Sequence, residues 1–342
     1  TVVEARRFVI ATGSRPFVPP IPGIDEVPHF TNETIFELRK KPDHLIVVGG
    51  GPIGLEMAQA HARLGCRVTV LEGLTALGKD DPELAGIVLD RLRDDGVEIH
   101  EGAQVSRVSG AEGVITVVTE DGASHSGTHL LIAVGRTPNV DRLNLEAASI
   151  EYDRRGLKVD ASLRTTNRRV YGVGDVAGPL QFTHVAGYHA GVVIRQIVLG
   201  MPAQVRSDHI PWATYTDPEL AQVGLTEIQA REHFGNKLEV ARFPYPENDR
   251  AIASGRTTGL IKLMVVKGRP VGASIAGADA GELIGLWAYA IANRHKLSAV
   301  ANMVAPYPTL GEINKRAAGA YFSPRLFESN LVKSIVRIVQ KL

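Results

Sequence analysis

Cysteine is almost absent from this chain of 342 residues, with Cys66 as its single instance. One thiol excludes an intrachain disulfide and any metal site built from cysteine thiolates. Lying where a helix gives way to a strand, Cys66 reads as a small core residue rather than a nucleophile. An excess of one charge is missing too. Lys and Arg number 38 against 37 for Asp and Glu, a formal net charge of +1 with the signs interspersed, which gives no electrostatic footprint for nucleic acid. No apolar run approaches the ~18 residues that a spanning helix needs, and no secretory signal pattern opens the sequence. The expectation is a soluble, cytoplasmic protein with no nucleic-acid partner and no membrane span. Solenoid repeats and low-complexity tracts are also lacking. The length exceeds one ordinary core, so two or three domains are expected.

What the sequence does contain is concentrated between Leu45 and Glu72. Leu45-Ile46-Val47-Val48 is an apolar, β-branched run of the kind found in a buried parallel strand. It breaks at Gly49-Gly50-Gly51-Pro52-Ile53-Gly54, with glycines in the G-x-G-x-x-G register. Gly49 allows the tight turn, Gly51 lets a pyrophosphate approach bare backbone, and Gly54 lets the next helix sit close to the strand. That helix, from about Pro52 to Leu64, offers amide N–H groups and the positive end of its dipole to phosphates. A second strand from Arg67 to Leu71 delivers Glu72, whose carboxylate can accept hydrogen bonds from both ribose hydroxyls and would repel a 2′-phosphate. The pattern points to NAD(H) over NADP(H), and the nearest basic residue after Glu72 is Lys79.

Along the rest of the chain, Arg7 to Ile10 reads as a strand. A proline-rich passage follows it, Val18-Pro19-Pro20-Ile21-Pro22-Gly23, which is neither helix nor central strand. A short helix is expected near Glu33 to Arg39, and another starting at Asp80-Asp81-Pro82-Glu83 with Leu84, Val88 and Leu92 on its apolar face. Further strands are expected at Val97 to His100, Gln104 to Ser109, Val114 to Thr119, Leu130 to Gly135 and Val170 to Asp175, then a helix from Thr183 to about Leu199. From Ile210 the texture changes. Strands at Leu238 to Phe243, Leu260 to Val266 and Pro270 to Ala276, with helices at Gly281 to Asn293 and Leu297 to Met303, suggest an α+β domain on an antiparallel sheet.

Several strings then agree in order and spacing with one family. They are Ala11-Thr12-Gly13-Ser14-Arg15-Pro16, the turn from Gly49 to Glu56, Ala133-Val134-Gly135-Arg136-Thr137-Pro138-Asn139, Gly172-Val173-Gly174-Asp175, Thr216-Asp217-Pro218-Glu219 with Val223-Gly224, and Tyr307-Pro308-Thr309-Leu310-Gly311-Glu312. Together they resemble the pyridine nucleotide-disulfide oxidoreductases, the group of lipoamide dehydrogenase, glutathione reductase and mercuric reductase. The resemblance implies an α/β protein in which a Rossmann-like NAD domain is inserted in a partial FAD domain and followed by an α+β dimerisation domain. On that layout residues 1–40 and 136–207 are FAD-domain pieces, 41–135 the NAD domain, and 208–342 the interface domain of a homodimer. FAD and NAD are the implied cofactors of an FAD-dependent NADH oxidoreductase. The resemblance places Thr12, Gly13 and Ser14 around FAD, Asp175 on a ribityl hydroxyl, and Gln181, Phe182, Thr183 and His184 along the flavin edge. Glu56, Val105 and Gly135 join the glycine turn and Glu72 around NAD.

Two departures qualify the resemblance. The family opens with its own G-x-G-x-x-G for the ADP half of FAD and a C-x-x-x-x-C redox pair, and neither is present here. An N-terminally truncated member is therefore expected, one that holds FAD weakly or not at all, and the alternative function is a non-catalytic, NAD-binding, dimerising module. At Tyr307 disulfide reductases of the family carry a His that serves as base, with a glutamate five residues on, here Glu312. Tyr307 and Glu312 remain the candidate catalytic residues, although a phenol is a poor base near neutrality. Tyrosine at this place resembles mercuric reductase, but the cysteine pair that ends those enzymes is lacking, and the electron acceptor stays open. From Pro324 on, Leu331, Ile335, Ile338, Val339 and Leu342 share one helical face and Lys333, Arg337 and Lys341 another. A helix docked on the body is the expectation there, with a membrane-surface helix as the alternative.

Overall fold

The computed structural model describes residues 3–340. In chain order its helices are α1 (Pro52–Arg63), α2 (Pro82–Asp94), α3 (Thr183–Ile197), α4 (Glu227–Phe234), α5 (Asp249–Ala253), α6 (Ala280–Ala292), α7 (Leu297–Ala301), α8 (Glu312–Phe327) and α9 (Asn330–Val339). The chain forms two compact units. One holds Thr1–Lys40, Val47–Gly49 and Val105–Ser207; the other holds Lys41–Ile46, Gly50–Gln104 and Asp208–Leu342.

In the first unit, strand Phe8–Ile10 pairs in parallel with Val170–Gly172, and Ser14–Pro16 pairs antiparallel with Arg136–Pro138. Strands Val105–Ala111, Val114–Thr119 and Ser124–Gly127 make a three-stranded antiparallel sheet. The proline-rich passage closes over that sheet: Val108 N–H donates to the Pro22 carbonyl at 2.9 Å. Gly23, at φ +86°, lies so close to the Val108 carbonyl that any β-carbon would clash. Buried Leu163, Tyr171, Val173, Val192 and Val193 join α3 to the strand that ends at Gly172.

The second unit contains the parallel element. Strand Arg67–Glu72 lies between the strand that starts at His44 and Val97–Glu101, and pairs with the latter in parallel from Val68 opposite Val97 to Glu72 opposite Glu101. Leu84, Val88 and Leu92 of α2 are fully buried, so the 3.6-residue spacing of the sequence marks the packed face. The same unit carries a five-stranded antiparallel sheet in the order Pro211–Thr214, Glu219–Gly224, Arg269–Gly277, Leu260–Val266, Leu238–Pro244. Helices α6, α7 and α8 cover it through a core around Trp287, whose indole N–H donates to Asn314 Oδ1 at 2.7 Å.

Some expectations need correction. Between Glu33 and Arg39 only a 3-10 turn forms, Ile35–Glu37, because one buried residue, Ile35, is too little apolar surface to hold a helix before the cluster Arg39-Lys40-Lys41-Pro42. The strand expected to run to Gly135 ends at Ile132, since Val134 is exposed and Gly135 has φ +127°. Helix α8 and the buried strand Glu219–Gly224 were not anticipated as elements. The tail forms the expected helix α9, capped by Ser329. It is not docked, however, because Ile335, Val336, Ile338 and Val339 are all exposed. Lys341 and Leu342 of that pattern lie outside the described residues.

Candidate functional site

The glycine turn is shaped by close approaches that a larger residue could not make. Gly49, in the first unit, has φ +113°, and a β-carbon there would sit 2.5 Å from the Ala133 carbonyl oxygen. In the second unit a β-carbon on Gly50 would meet Glu72 Cβ at 2.9 Å, whereas nothing lies within 4 Å of the space above Gly51. Gly51 is the N-cap of α1 and carries no side chain to cap it; Pro52 takes the first helical position, Ile53 follows, and Gly54 is buried. The start of α1 is thus an uncapped helix end over open space, which suits an anionic phosphate. Glu72 is held against this turn. Its Oε2 accepts from Gly50 N–H at 2.6 Å and its Oε1 from Leu74 N–H at 2.9 Å, and each oxygen keeps a further lone pair for a hydroxyl donor.

One turn along α1, Glu56 Oε1 accepts from Tyr215 N–H at 2.8 Å. Burial pushes the Glu56 carboxyl up, and the Tyr215 amide offsets only part of that. Gln59, which the sequence did not single out, accepts from Asp217 N–H at 2.7 Å and donates to the Asp217 carbonyl and to Asp95 Oδ2, both at 2.9 Å. Its only sequence signal was a polar residue on a face that otherwise reads as buried.

The residues assigned to flavin all lie in the first unit. Thr12 Oγ1 donates to the Asn139 carbonyl at 2.6 Å and Asn139 Nδ2 returns a bond to the Thr12 carbonyl at 2.9 Å. Gly13 has φ +67° and open space where a β-carbon would stand. Ser14 Oγ donates to Asp175 Oδ2 at 2.6 Å and accepts from Arg136 Nε at 2.7 Å. Ser14, more than 100 positions from both Arg136 and Asp175, therefore links them in one chain of polar contacts ending on the Asp175 carboxylate. Arg136 had appeared only as part of a motif string. Phe182 precedes α3 without capping it, and its ring stacks on His184 at 5.2 Å; Gln181 is partly buried and Thr183 exposed. An uncapped helix start beside a fixed carboxylate fits a flavin with its ribityl chain. Behind Asp175, Gly174 N–H donates to His189 Nδ1 at 3.3 Å, and burial pushes that imidazole below its ordinary value. Val105 opens its strand opposite Thr119, and the Gly135 carbonyl accepts from Phe17 N–H at 2.9 Å.

Tyr307 and Glu312 belong to the second unit. The Tyr307 hydroxyl is exposed and donates to Asp249 Oδ2 at 2.8 Å, a bond that pushes the phenol above its ordinary value. Glu312, the first residue of α8, accepts from Arg316 Nε at 3.1 Å. As a proton acceptor near neutrality Tyr307 is thus weaker than an isolated tyrosine. Among the described residues no group of three or more His, Cys, Asp or Glu is placed to hold a metal ion.

Comparison with known proteins identifies the family. The family described as "Pyridine nucleotide-disulphide oxidoreductase" matches residues 1–190, and its dimerisation domain matches residues 210–318. The chain is 35% identical over 317 residues to a mercuric reductase of Bacillus cereus, covering 91% of this chain and 50% of that protein. It is 36% identical over 322 residues to a dihydrolipoyl dehydrogenase of Bacillus subtilis, covering 92% and 68%. The chain therefore spans about half the length of the first of these relatives. Among solved structures, the Cu(II) complex of the HOCl-induced flavoprotein disulfide reductase RclA from Escherichia coli superposes with a TM-score of 0.85 at 33% identity, covering 92% of this chain and 74% of that one.

Proposed function

Because this chain belongs to the pyridine nucleotide-disulphide oxidoreductases, we propose that it is an NADH-linked, FAD-dependent oxidoreductase acting on a small-molecule acceptor as a homodimer. The observation that carries the choice of coenzyme is the Glu72 carboxylate, fixed on the Gly50 amide at 2.6 Å. When bound, NADH supplies a hydride and FAD accepts it. The chain's own residues hold and orient. First-turn amides of α1 above Gly51 receive the pyrophosphate, with Gly49 and Gly54 permitting the turn, and Glu72 accepts from both ribose hydroxyls while its charge repels a 2′-phosphate. Glu56 faces the nicotinamide region. On the flavin side, Thr12 and Gly13 wrap the chain, and Asp175, kept in place by Ser14 and Arg136, accepts from a ribityl hydroxyl. Gln181 to His184 run along the ring, where the start of α3 favours negative charge. Tyr307 and Glu312 face the acceptor, with Tyr307 as a hydrogen-bonding group rather than a base.

The test is a titration of the purified chain with NADH and with NADPH, read by quenching of Trp212 and Trp287. NADH is expected to bind about tenfold or more tightly, about 1.4 kcal/mol, and Glu72→Ala to narrow that gap. Equal affinities, or tighter NADPH binding, would overturn the coenzyme assignment. Reconstitution with added FAD, followed by anaerobic NADH, reads the flavin step separately through bleaching of the flavin absorbance.

A further inference from the structure

The end of the chain carries a surface that the dimerisation domain does not account for. The family match stops at residue 318, α8 continues to Phe327, and Ser329 then caps α9 through Val332 N–H at 3.4 Å. At 100° per residue, Val332, Ile335, Val336, Ile338 and Val339 fall on one side of α9 and Asn330, Lys333, Ser334 and Arg337 on the other. The apolar side is uncovered: Ile335, Ile338 and Val339 are 51%, 63% and 61% exposed. From Ser329 to Leu342 the sequence has Lys333, Arg337 and Lys341 but no Asp or Glu. Among the described residues, neither Lys333 nor Arg337 has a carboxylate within ion-pair distance.

We propose that α9 lies in the headgroup boundary of an anionic lipid bilayer, its apolar side toward the acyl chains and its cations among the lipid phosphates. An amphipathic helix with a wide apolar arc and a purely basic polar face is the form that binds such a surface in its plane. The charge pattern selects lipid over a second copy of the helix. Two α9 helices packed through their apolar sides would leave Lys333 and Arg337 pointing outward, with no acid in the segment to pair with them. A helix of 10 residues, about 15 Å long, also presents less than the about 800 Å² per partner of a specific protein interface. An anionic leaflet neutralises the cations and accepts a short helix. The anchor is peripheral, since no described helix is long and apolar enough to cross a membrane.

Co-sedimentation of the full chain with vesicles of phosphatidylglycerol and phosphatidylcholine, against vesicles of phosphatidylcholine alone, tests this. Binding is expected to be at least about tenfold stronger on the anionic vesicles and to weaken as salt rises. The paired reversal Lys333→Glu with Arg337→Glu is expected to abolish the preference. Ile335→Asp with Ile338→Asp is expected to abolish binding while thermal unfolding stays unchanged, because both positions are exposed. No binding to anionic vesicles, or binding indifferent to the charge reversal, overturns the proposal. Sedimentation velocity of the Ile335→Asp, Ile338→Asp chain reads the rival occupant: a shift from dimer to monomer would show that a second copy covers this face, and the lipid assignment would fall.

Discussion

His189 illustrates how a single side chain couples a site to pH. It sits in α3 behind Asp175 and accepts the Gly174 amide on Nδ1, so the fold requires a neutral ring. Burial depresses its native pKa, and the unfolded chain therefore takes up a proton that the folded chain refuses once pH falls past about 6.5. The contribution is complete above that value and is lost as acid carries the pH down through the depressed native pKa. Urea midpoints measured at pH 7.5 and at pH 5.5 are expected to differ more for the natural chain than for His189→Asn, whose amide oxygen can accept the same bond without titrating. Equal pH sensitivity in the two chains would show that His189 is not the source. Tyr307 behaves differently. Asp249 raises its phenol, so its titration lies even farther from neutrality and it adds nothing to pH dependence between 6 and 8.

Among elements, α2 shows what sequence can and cannot disclose. Its start was legible because capping is local: Asp81, the N-cap, accepts from Glu83 N–H at 3.1 Å, and Pro82 follows at the first helical position. Lys262, 181 positions later, reads as an interruption in an apolar strand. The structure buries it to 4% side-chain exposure, with Asp81 at 2.9 Å, Glu83 at 2.9 Å and Glu227 at 2.6 Å. Burial pulls the Lys262 pKa down, and the three carboxylates outweigh it, so the net shift is upward. Nothing in local pattern pairs residues so distant, and the same limit hid Gln59 on Asp217 and Arg136 on Ser14. The glycine turn and the motif strings were legible for the opposite reason, since turn geometry and close backbone approach constrain residue types directly. Lys262→Met leaves the Asp81 carboxylate buried without its cation. It is expected to cost about 3–5 kcal/mol in urea unfolding at neutral pH, with part of that loss recovered by adding Asp81→Asn. A cost below about 1 kcal/mol would mean that the cluster is solvated and weak.

For the whole molecule, the distribution of apolar surface bears on assembly. Residues 210–318 match a dimerisation domain, and within that range the link between α7 and α8 presents Val304 at 94% exposure, with Tyr307 also exposed. A single uncovered valine is ordinary on a monomer. This one lies in the matched domain, on the same link as the exposed Tyr307, so a partner that covers the link would bury the valine. An apolar side chain at the centre of such a contact tolerates a carboxylate poorly, because the charge would be desolvated without a counter-ion. Val304→Asp is therefore expected to weaken self-association by about tenfold or more. Sedimentation velocity at micromolar concentration should show a dimer for the natural chain and a monomer-shifted mixture for the variant. The thermal midpoint of the natural chain should rise with protein concentration by mass action, and that dependence should flatten in the variant. A natural chain that sediments as a monomer throughout the range would remove the homodimer from the functional reading while leaving the coenzyme assignment at Glu72 untouched, because the Gly50 and Leu74 contacts that hold the carboxylate are made within one chain.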